Sequence, residues 1–363
     1  MAGRKIGTLG AAALLACATA LAGPALAQDP ITITYVGAFT ANEWHTEIKA
    51  GAEQAVKDLG FPVELRVVGP TDFDPVQQAQ IFTREAVTQP DAMIVTNVAS
   101  ALFVQPAMDA KAQGITVVWT NSAPTREFDE DLFVASDPKE LGFATAQALA
   151  DHLSQKMGQP ADQIEGTVVV GLCVPGLMVL ENRIAGLRAG LNDLMPKLTV
   201  SPTIETKPDR SGSFVAWNQA IAANRDALAY ADACEAGQQN IAKIIEDDGL
   251  SGVTVVFDAP EEIRDAIQRG YVLVAAPTNH YLQAYIAVTL TAQALHDGKP
   301  LPAGWVKLPT NIIDSGNIGQ MIAAWEDPSA GLRAFFDADV AAISSDVAEG
   351  RIASTADYDL PPQ

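Results

Sequence analysis

Short apolar runs alternate with amphipathic stretches along most of the chain. Ile31 to Val36 reads as a strand, and from Asn42 to Leu59 the residues Trp44, Ile48, Ala52, Ala55 and Leu59 recur at helical spacing until Gly60 stops the pattern. Val63 to Val68 is a second strand, and Asp74-Pro75 caps and starts the next helix, with the proline in the first turn where its missing N–H is harmless. Strands are predicted over Ala92 to Thr96 and Ile115 to Trp119, separated by a helix over Val104 to Gln113, and a helix over Glu140 to Lys156 follows. The rhythm then repeats. Strands at Gly166 to Cys173, Val200 to Glu205, Ala227 to Ala231, Val253 to Phe257 and Val272 to Ala275 alternate with helices at Leu180 to Leu194, Phe214 to Asn224, Glu235 to Asp247, Glu261 to Arg269 and Tyr281 to His296. Such alternation builds parallel sheets with helices on both faces. Two runs of it predict an α/β protein of two Rossmann-like, doubly wound lobes. Ligands of such sheets sit outside the carboxyl ends of the strands. Asn42, Trp44, Asn121, Ser122, Asp232 and Asp258 all fall just after predicted strands.

The N-terminus departs from this rhythm. Arg4 and Lys5 precede an apolar, small-residue stretch from Ile6 to Gly23, and Pro24-Ala25-Leu26-Ala27 supplies an Ala-x-Ala cleavage signal. Residues 1–27 therefore read as a secretory signal peptide, which places the mature chain in the periplasm. Leu14-Leu15-Ala16-Cys17 loosely resembles a lipoprotein site, so lipidation is the rival reading.

Composition narrows the function. The 363 residues are 48% hydrophobic and 18% charged, enough for about two ordinary cores. Forty-four acids against 23 bases give a net charge of −21, which argues against nucleic acid and anionic lipid as partners. There is no Gly-x-Gly-x-x-Gly, no phosphate-binding Gly-x-x-x-x-Gly-Lys loop and no Gly-x-Ser-x-Gly elbow. The histidines His45, His152, His280 and His296 lack zinc-like spacing and read as surface or capping residues, and the acid run Glu127 to Asp131 reads as a solvated loop. No catalytic residue, cofactor or metal site is expected, and a binder fits better than an enzyme.

Several segments, in order, resemble type I periplasmic solute-binding proteins of ABC importers, the ribose-, rhamnose- and autoinducer-2-binding class. They are Tyr35 to Glu53, Val68-Gly69-Pro70-Thr71 with Gln80, Pro90 to Thr96, Ala110 to Ser122, and Ala135-Ser136-Asp137 with Leu141-Gly142. Gly176 to Arg183 with Gly186-Leu187, and Val256 to Pro260 with Ala266-Ile267 and Gly270, continue the series. The resemblance covers about Ile31 to Ile313. It implies two lobes joined by three hinge strands, with crossings near Asp137, Asn279 and Leu301. The N-terminal lobe would comprise 28–137 and 279–303, and the C-terminal lobe 138–278 and 304–363. It also implies a monomer that closes on a sugar or polyol and delivers it to an inner-membrane permease.

The resemblance carries site roles residue by residue. Trp44 stands at a stacking position, with helix core as its other reading; Asn42 at a hydrogen-bonding position, with helix N-cap as its competitor; His45 at a neighbouring aromatic position. Asn121 matches a polar ligand position, while Ser122 replaces the arginine of ribose binders. Arg183 offers a five-donor fork, Asp258 a charged acceptor, and Asn279 replaces a hinge glutamine. Asp232 would take the role of an Asn-Asp pair that the family often carries. Leu177, Met178 and Val179 replace polar groups, which would suit a deoxy sugar or a less hydroxylated polyol if they line the cleft. Cys173 and Cys234 end neighbouring strands of a doubly wound sheet, so a disulfide is expected if their Cα atoms lie within bonding range. Two rival functions stand beside sugar import: an autoinducer-2 or rhamnose binder, and a sensory adaptor that presents its ligand to a membrane receptor kinase.

Overall fold

The computed structural model describes residues 1–3 and 29–358, so the expected signal peptide and Cys17 lie, apart from the first three residues, outside the described residues. The chain begins β1 (Ile31–Val36), α1 (Glu43–Asp58), β2 (Val63–Val68), α2 (Pro75–Ala86), β3 (Ala92–Thr96), α3 (Ser100–Ala112), β4 (Thr116–Thr120) and β5 (Leu132–Ser136). It continues α4 (Pro138–Met157), β6 (Gly166–Leu172), α5 (Met178–Leu194), β7 (Leu198–Val200), β8 (Ile204–Glu205), α6 (Arg210–Ala223), β9 (Ala229–Asp232) and α7 (Glu235–Asp248). Then come β10 (Val253–Val256), α8 (Glu261–Arg269), β11 (Val272–Ala275), α9 (His280–Asp297), β12 (Gly304–Leu308), β13 (Ile313–Asp314), α10 (Ile318–Ala324), α11 (Pro328–Phe335) and α12 (Asp337–Ala348).

Two sheets result. The first has the order β12-β5-β4-β3-β1-β2 with every pair parallel. The second has the order β13-β11-β10-β9-β6-β7, with β8 also on β6 and β13 joining antiparallel. This is the α/β, doubly wound architecture that the alternation predicts. Each sheet is covered on both faces, so inner strands such as β3 and β5 are buried at every position and mostly apolar, whereas the edge strand β2 alternates. In the first, Ile33, Ile94, Val118 and Val134 pack with α1 and α9, while Met93, Val95, Trp119 and Phe133 pack beside Phe82 of α2 and Phe103 of α3. In the second, Val168 and Val170 face Leu149 of α4 and Leu187 of α5, and Val169 and Tyr230 face Trp217 of α6 and Ile241 of α7.

Local signals start the helices, at Pro75 as expected and at Pro138 two residues ahead of the expected Glu140. Asp74 accepts from Gln77 N ahead of Pro75, and Asp137 accepts from Lys139 N and Glu140 N ahead of Pro138. The strand expected over Val200 to Glu205 is divided into β7 and β8, because Pro202 between them has no N–H for a ladder. β5, β12, β13 and α10–α12 had no counterpart among the predicted elements.

The third crossing and the last boundary differ from expectation. Gly304 to Leu308 does not open the second lobe; it adds β12 to the first sheet beside β5. Trp305 and Val306 bury apolar surface on opposite faces of that sheet, which holds the segment there. The chain reaches the second sheet only at β13, after Pro309 to Ile312. It then returns: α11 packs on α1, Ala353 bridges Trp305, and Tyr358 packs against Phe133.

One helix pair sets the geometry of the second lobe. A Cβ on Gly142 of α4 would lie 2.1 Å from the Arg183 carbonyl oxygen, and one on Gly186 of α5 would lie 2.0 Å from the Lys139 carbonyl oxygen. The two backbones approach so closely that only glycine fits at either position.

Candidate functional site

The carboxyl ends of both sheets open on one cleft of about 380 Å³. Its first wall comes from the turns after β1, β2, β3 and β4: Phe39, Asn42 and Trp44, then Asp72 and Phe73, then Val98, then Asn121. Its second wall comes from the turns after β6, β8, β9, β10 and β11: Cys173, Val174 and Leu177, then Arg210, then Glu235, then Asp258, then Pro277 and His280. Both sheets thus meet the cleft at the edge where parallel strands aim their loops.

On the first wall, Asn42 caps α1, its Oδ1 accepting from His45 N at 3.3 Å, and it lines the cleft as well. This cap points Trp44 and Glu47, three residues apart on one helix face, into the cleft. The indole stacks on the His280 ring with centroids 4.3 Å apart and makes a T-shaped contact with Phe39, centroids 4.7 Å apart. The Trp44 Nε1 is buried without a partner. Asn121 holds a left-handed backbone, φ 74°, that asparagine tolerates. Its Nδ2 donates to Asn97 O at 2.9 Å and Ser122 Oγ at 3.4 Å, so the amide oxygen is the group left for a ligand.

On the second wall, Arg183 is nearly fully buried. Its Nη1 donates to Ala233 O at 2.9 Å and to Asp258 Oδ2 at 3.3 Å, and its Nη2 donates to Thr278 Oγ1 at 3.3 Å. Thr278 Oγ1 donates to Asp258 Oδ1 at 3.3 Å and lies 2.9 Å from His280 Nε2. Burial, then the Arg183 charge, holds the His280 pKa well below the usual histidine value, so the ring is neutral. A disulfide joins Cys173 and Cys234, with Cα atoms 6.0 Å apart, and both residues line the cleft. It spans 61 residues, and on the chain-entropy model restrains the unfolded chain by about 4 kcal/mol.

Carboxylates dominate the remaining lining. Burial, then the charge of Asp258, pushes the Glu47 carboxyl up to about 8; Glu43 and Glu235 add to this, and Arg264 opposes it. Burial, then Asp258, Glu43 and Glu262, pushes Glu235 to about 7 against the pull of Arg210. Glu43 also bridges the lobes: it accepts from Arg264 Nη1 at 2.9 Å and from Glu261 N at 3.0 Å, where α8 presents its positive end.

A family model described as a periplasmic binding protein domain matches residues 33–300. The chain belongs to the periplasmic binding protein family. No curated protein matches it. Solved structures share its fold at low identity. A carbohydrate transporter solute-binding protein from Agrobacterium radiobacter in complex with D-arabinose is 21% identical, with a TM-score of 0.70 over 80% of this chain and 96% of that one. A periplasmic solute-binding protein from Actinobacillus succinogenes with bound D-allose is 16% identical, with a TM-score of 0.71 over 80% and 99%. LsrB from Clostridium saccharobutylicum in complex with AI-2 is 13% identical, with a TM-score of 0.69 over 80% and 99%.

In this periplasmic binding protein Asn42, Trp44, Asn121, Arg183 and Asp258 come together around the cleft, while three expected site residues do not line it. Asp232 is fully buried and turned into the lobe, accepting from Trp217 Nε1 at 2.6 Å, Cys234 N at 2.8 Å and Thr206 Oγ1 at 2.9 Å. Burial raises its pKa to about 6 against those hydrogen bonds. Asn279, in a left-handed backbone at φ 57°, donates from Nδ2 to Pro309 O at 2.9 Å and so ties two crossing segments together. His45 lies beside the cleft, half-buried, its pKa lowered by burial and by Lys49. Leu177 and Val179 line the cleft, whereas Met178 and Ser122 do not. The sequence reading missed Phe39, Glu47, Phe73, Glu235 and His280. Glu47 carried a signal in its spacing from Trp44; the others depend on which loops the two lobes bring face to face.

Proposed function

We propose that the protein is the substrate-binding component of an ABC importer, performing no chemistry and capturing a sugar, polyol or related polyhydroxylated molecule between its lobes. The observation that carries this reading is the single cleft whose opposite walls hold an indole, from Trp44, and a guanidinium–carboxylate pair, Arg183 with Asp258. An aromatic face takes a C–H surface, and the charged pair supplies donors and acceptors for hydroxyls. The bound sugars of the structural relatives support it. Export to the periplasm and delivery to an inner-membrane permease belong to the same proposal. Val174, Leu177 and Val179 give the cleft an apolar flank, which favours a deoxy sugar or a less hydroxylated polyol over glucose or ribose. A thermal-shift screen across sugars, sugar acids, deoxy sugars and polyols tests it, since a ligand of the folded state raises its stability. A stabilising neutral or amino polyol is the expected result; a screen in which no polyhydroxylated compound raises the melting temperature removes the reading.

A further inference from the structure

We propose that the captured molecule carries an ammonium group besides its hydroxyls, as an amino sugar or amino polyol does. This rests on the reading of the cleft as a polyol site and adds the charge of its occupant. Five carboxylates line the cleft, Glu43, Glu47, Asp72, Glu235 and Asp258, against two arginines. Both arginines are engaged: Arg183 with Asp258, and Arg210 with Glu262 at 2.9 Å. Glu43 is matched by Arg264. Glu47 makes no hydrogen bond or ion pair among the described residues, and Glu235 has only a 3.4 Å contact from Gln239 Nε2.

A third unpartnered group lines the same cleft. Thr278 Oγ1 lies 3.3 Å from Asp258 Oδ1 and 2.9 Å from His280 Nε2, so the other ring nitrogen, Nδ1, is the one without a partner. His280 is 7% exposed, lines the cleft, and its Nδ1 has no partner. Glu47 and Glu235 thus offer carboxyl groups that no protein cation among the described residues engages and that, without a ligand, hold their own protons into the neutral range, and His280 Nδ1 is a third group without a partner. A hydroxyl brings one proton and lone pairs of its own; an ammonium brings three donors, a positive charge and no acceptor. The aromatic faces of Phe39, Trp44 and Phe73 suit a cation as well. Among the described residues no group of three or more His, Cys, Asp and Glu is arranged to hold a metal ion. The unpartnered donors Trp44 Nε1 and Arg183 Nε remain for hydroxyl oxygens. Burial first, and the neighbouring negative groups second, raise the Glu47 and Glu235 carboxyls, and a bound cation opposes that shift.

Calorimetric titration with matched pairs tests this: glucose with glucosamine, galactose with galactosamine, and sorbitol with glucamine. The amino member of at least one pair is expected to bind about tenfold tighter than its hydroxy partner. In Glu47→Gln that ratio is expected to fall below about threefold, and Glu235→Gln gives the same readout should the first variant fail to fold. Hydroxy members that bind as tightly as their amino partners, or tighter, overturn the inference and leave the polyol reading standing. Amine preference untouched by both substitutions overturns it too. No binding by any amino member overturns the inference as well, while the polyol reading stands or falls by the wider thermal-shift screen.

Discussion

Two aspartates at the ends of neighbouring strands, Asp232 closing β9 and Asp258 just past β10, show how differently one residue type is used. Asp258 sits in the cleft wall, paired to a buried guanidinium; Asp232 is an internal acceptor for three donors. Asp258→Asn keeps the shape and removes the charge, so the ligand returned by the screen should bind about ten- to a hundredfold more weakly in a calorimetric titration. Asp232→Ala orphans the Trp217, Thr206 and Cys234 donors and should cost about 3 kcal/mol in chemical denaturation. Its ligand affinity, measured where the variant is folded, should stay within about threefold. The opposite pattern would exchange the roles of the two residues.

The elements matter through what they hold still. Arg183 reaches the cleft from the second turn of α5, and α5 lies where it does because Gly142 and Gly186 let α4 come into backbone contact. Gly186→Val should push the helices apart, destabilise the protein by about 2–3 kcal/mol as an overpacking change, and misplace the guanidinium. The expected result is a lower melting temperature together with weaker ligand binding. A stable variant with unchanged affinity would show that the helix contact does not set the site.

At the scale of the molecule, two lobes meet across carboxylates. Glu43 on α1 joins Arg264 and the start of α8 on the other lobe. Glu43→Ala removes about 1–2 kcal/mol of charged hydrogen bonding from this conformation. The unliganded protein should then show a larger radius of gyration by small-angle scattering, shrinking when ligand is added. The pH dependence follows from the same crowding. Glu47 and Glu235 have folded values of about 8 and 7 against an ordinary 4.5, so above 4.5 the folded chain keeps protons that the unfolded chain has shed. His280 acts in the opposite sense, but only below about 6.5, where the unfolded ring gains a proton. From about 6.5 to 8 the carboxylates act alone, and stability of the empty protein should fall as pH rises. Urea midpoints at pH 6.5 and 8.5 check this, and Glu47→Gln should flatten the slope.

The sequence by itself determined the lobes and most of their elements, because apolar period, caps such as Asp74-Pro75 and stops such as Gly270 are local signals. It also brought Asn42, Trp44, Asn121 and Asp258 into view, since each falls just after a predicted strand, while Arg183 came into view through the family resemblance alone. Only the tertiary structure decided that Asp232 points inward and that Asn279 fastens the hinge. It alone also put β12 in the first sheet and set Glu47, Glu235 and His280 around one space. Those outcomes depend on side-chain direction and on contacts between segments up to some two hundred residues apart, and a linear pattern encodes neither.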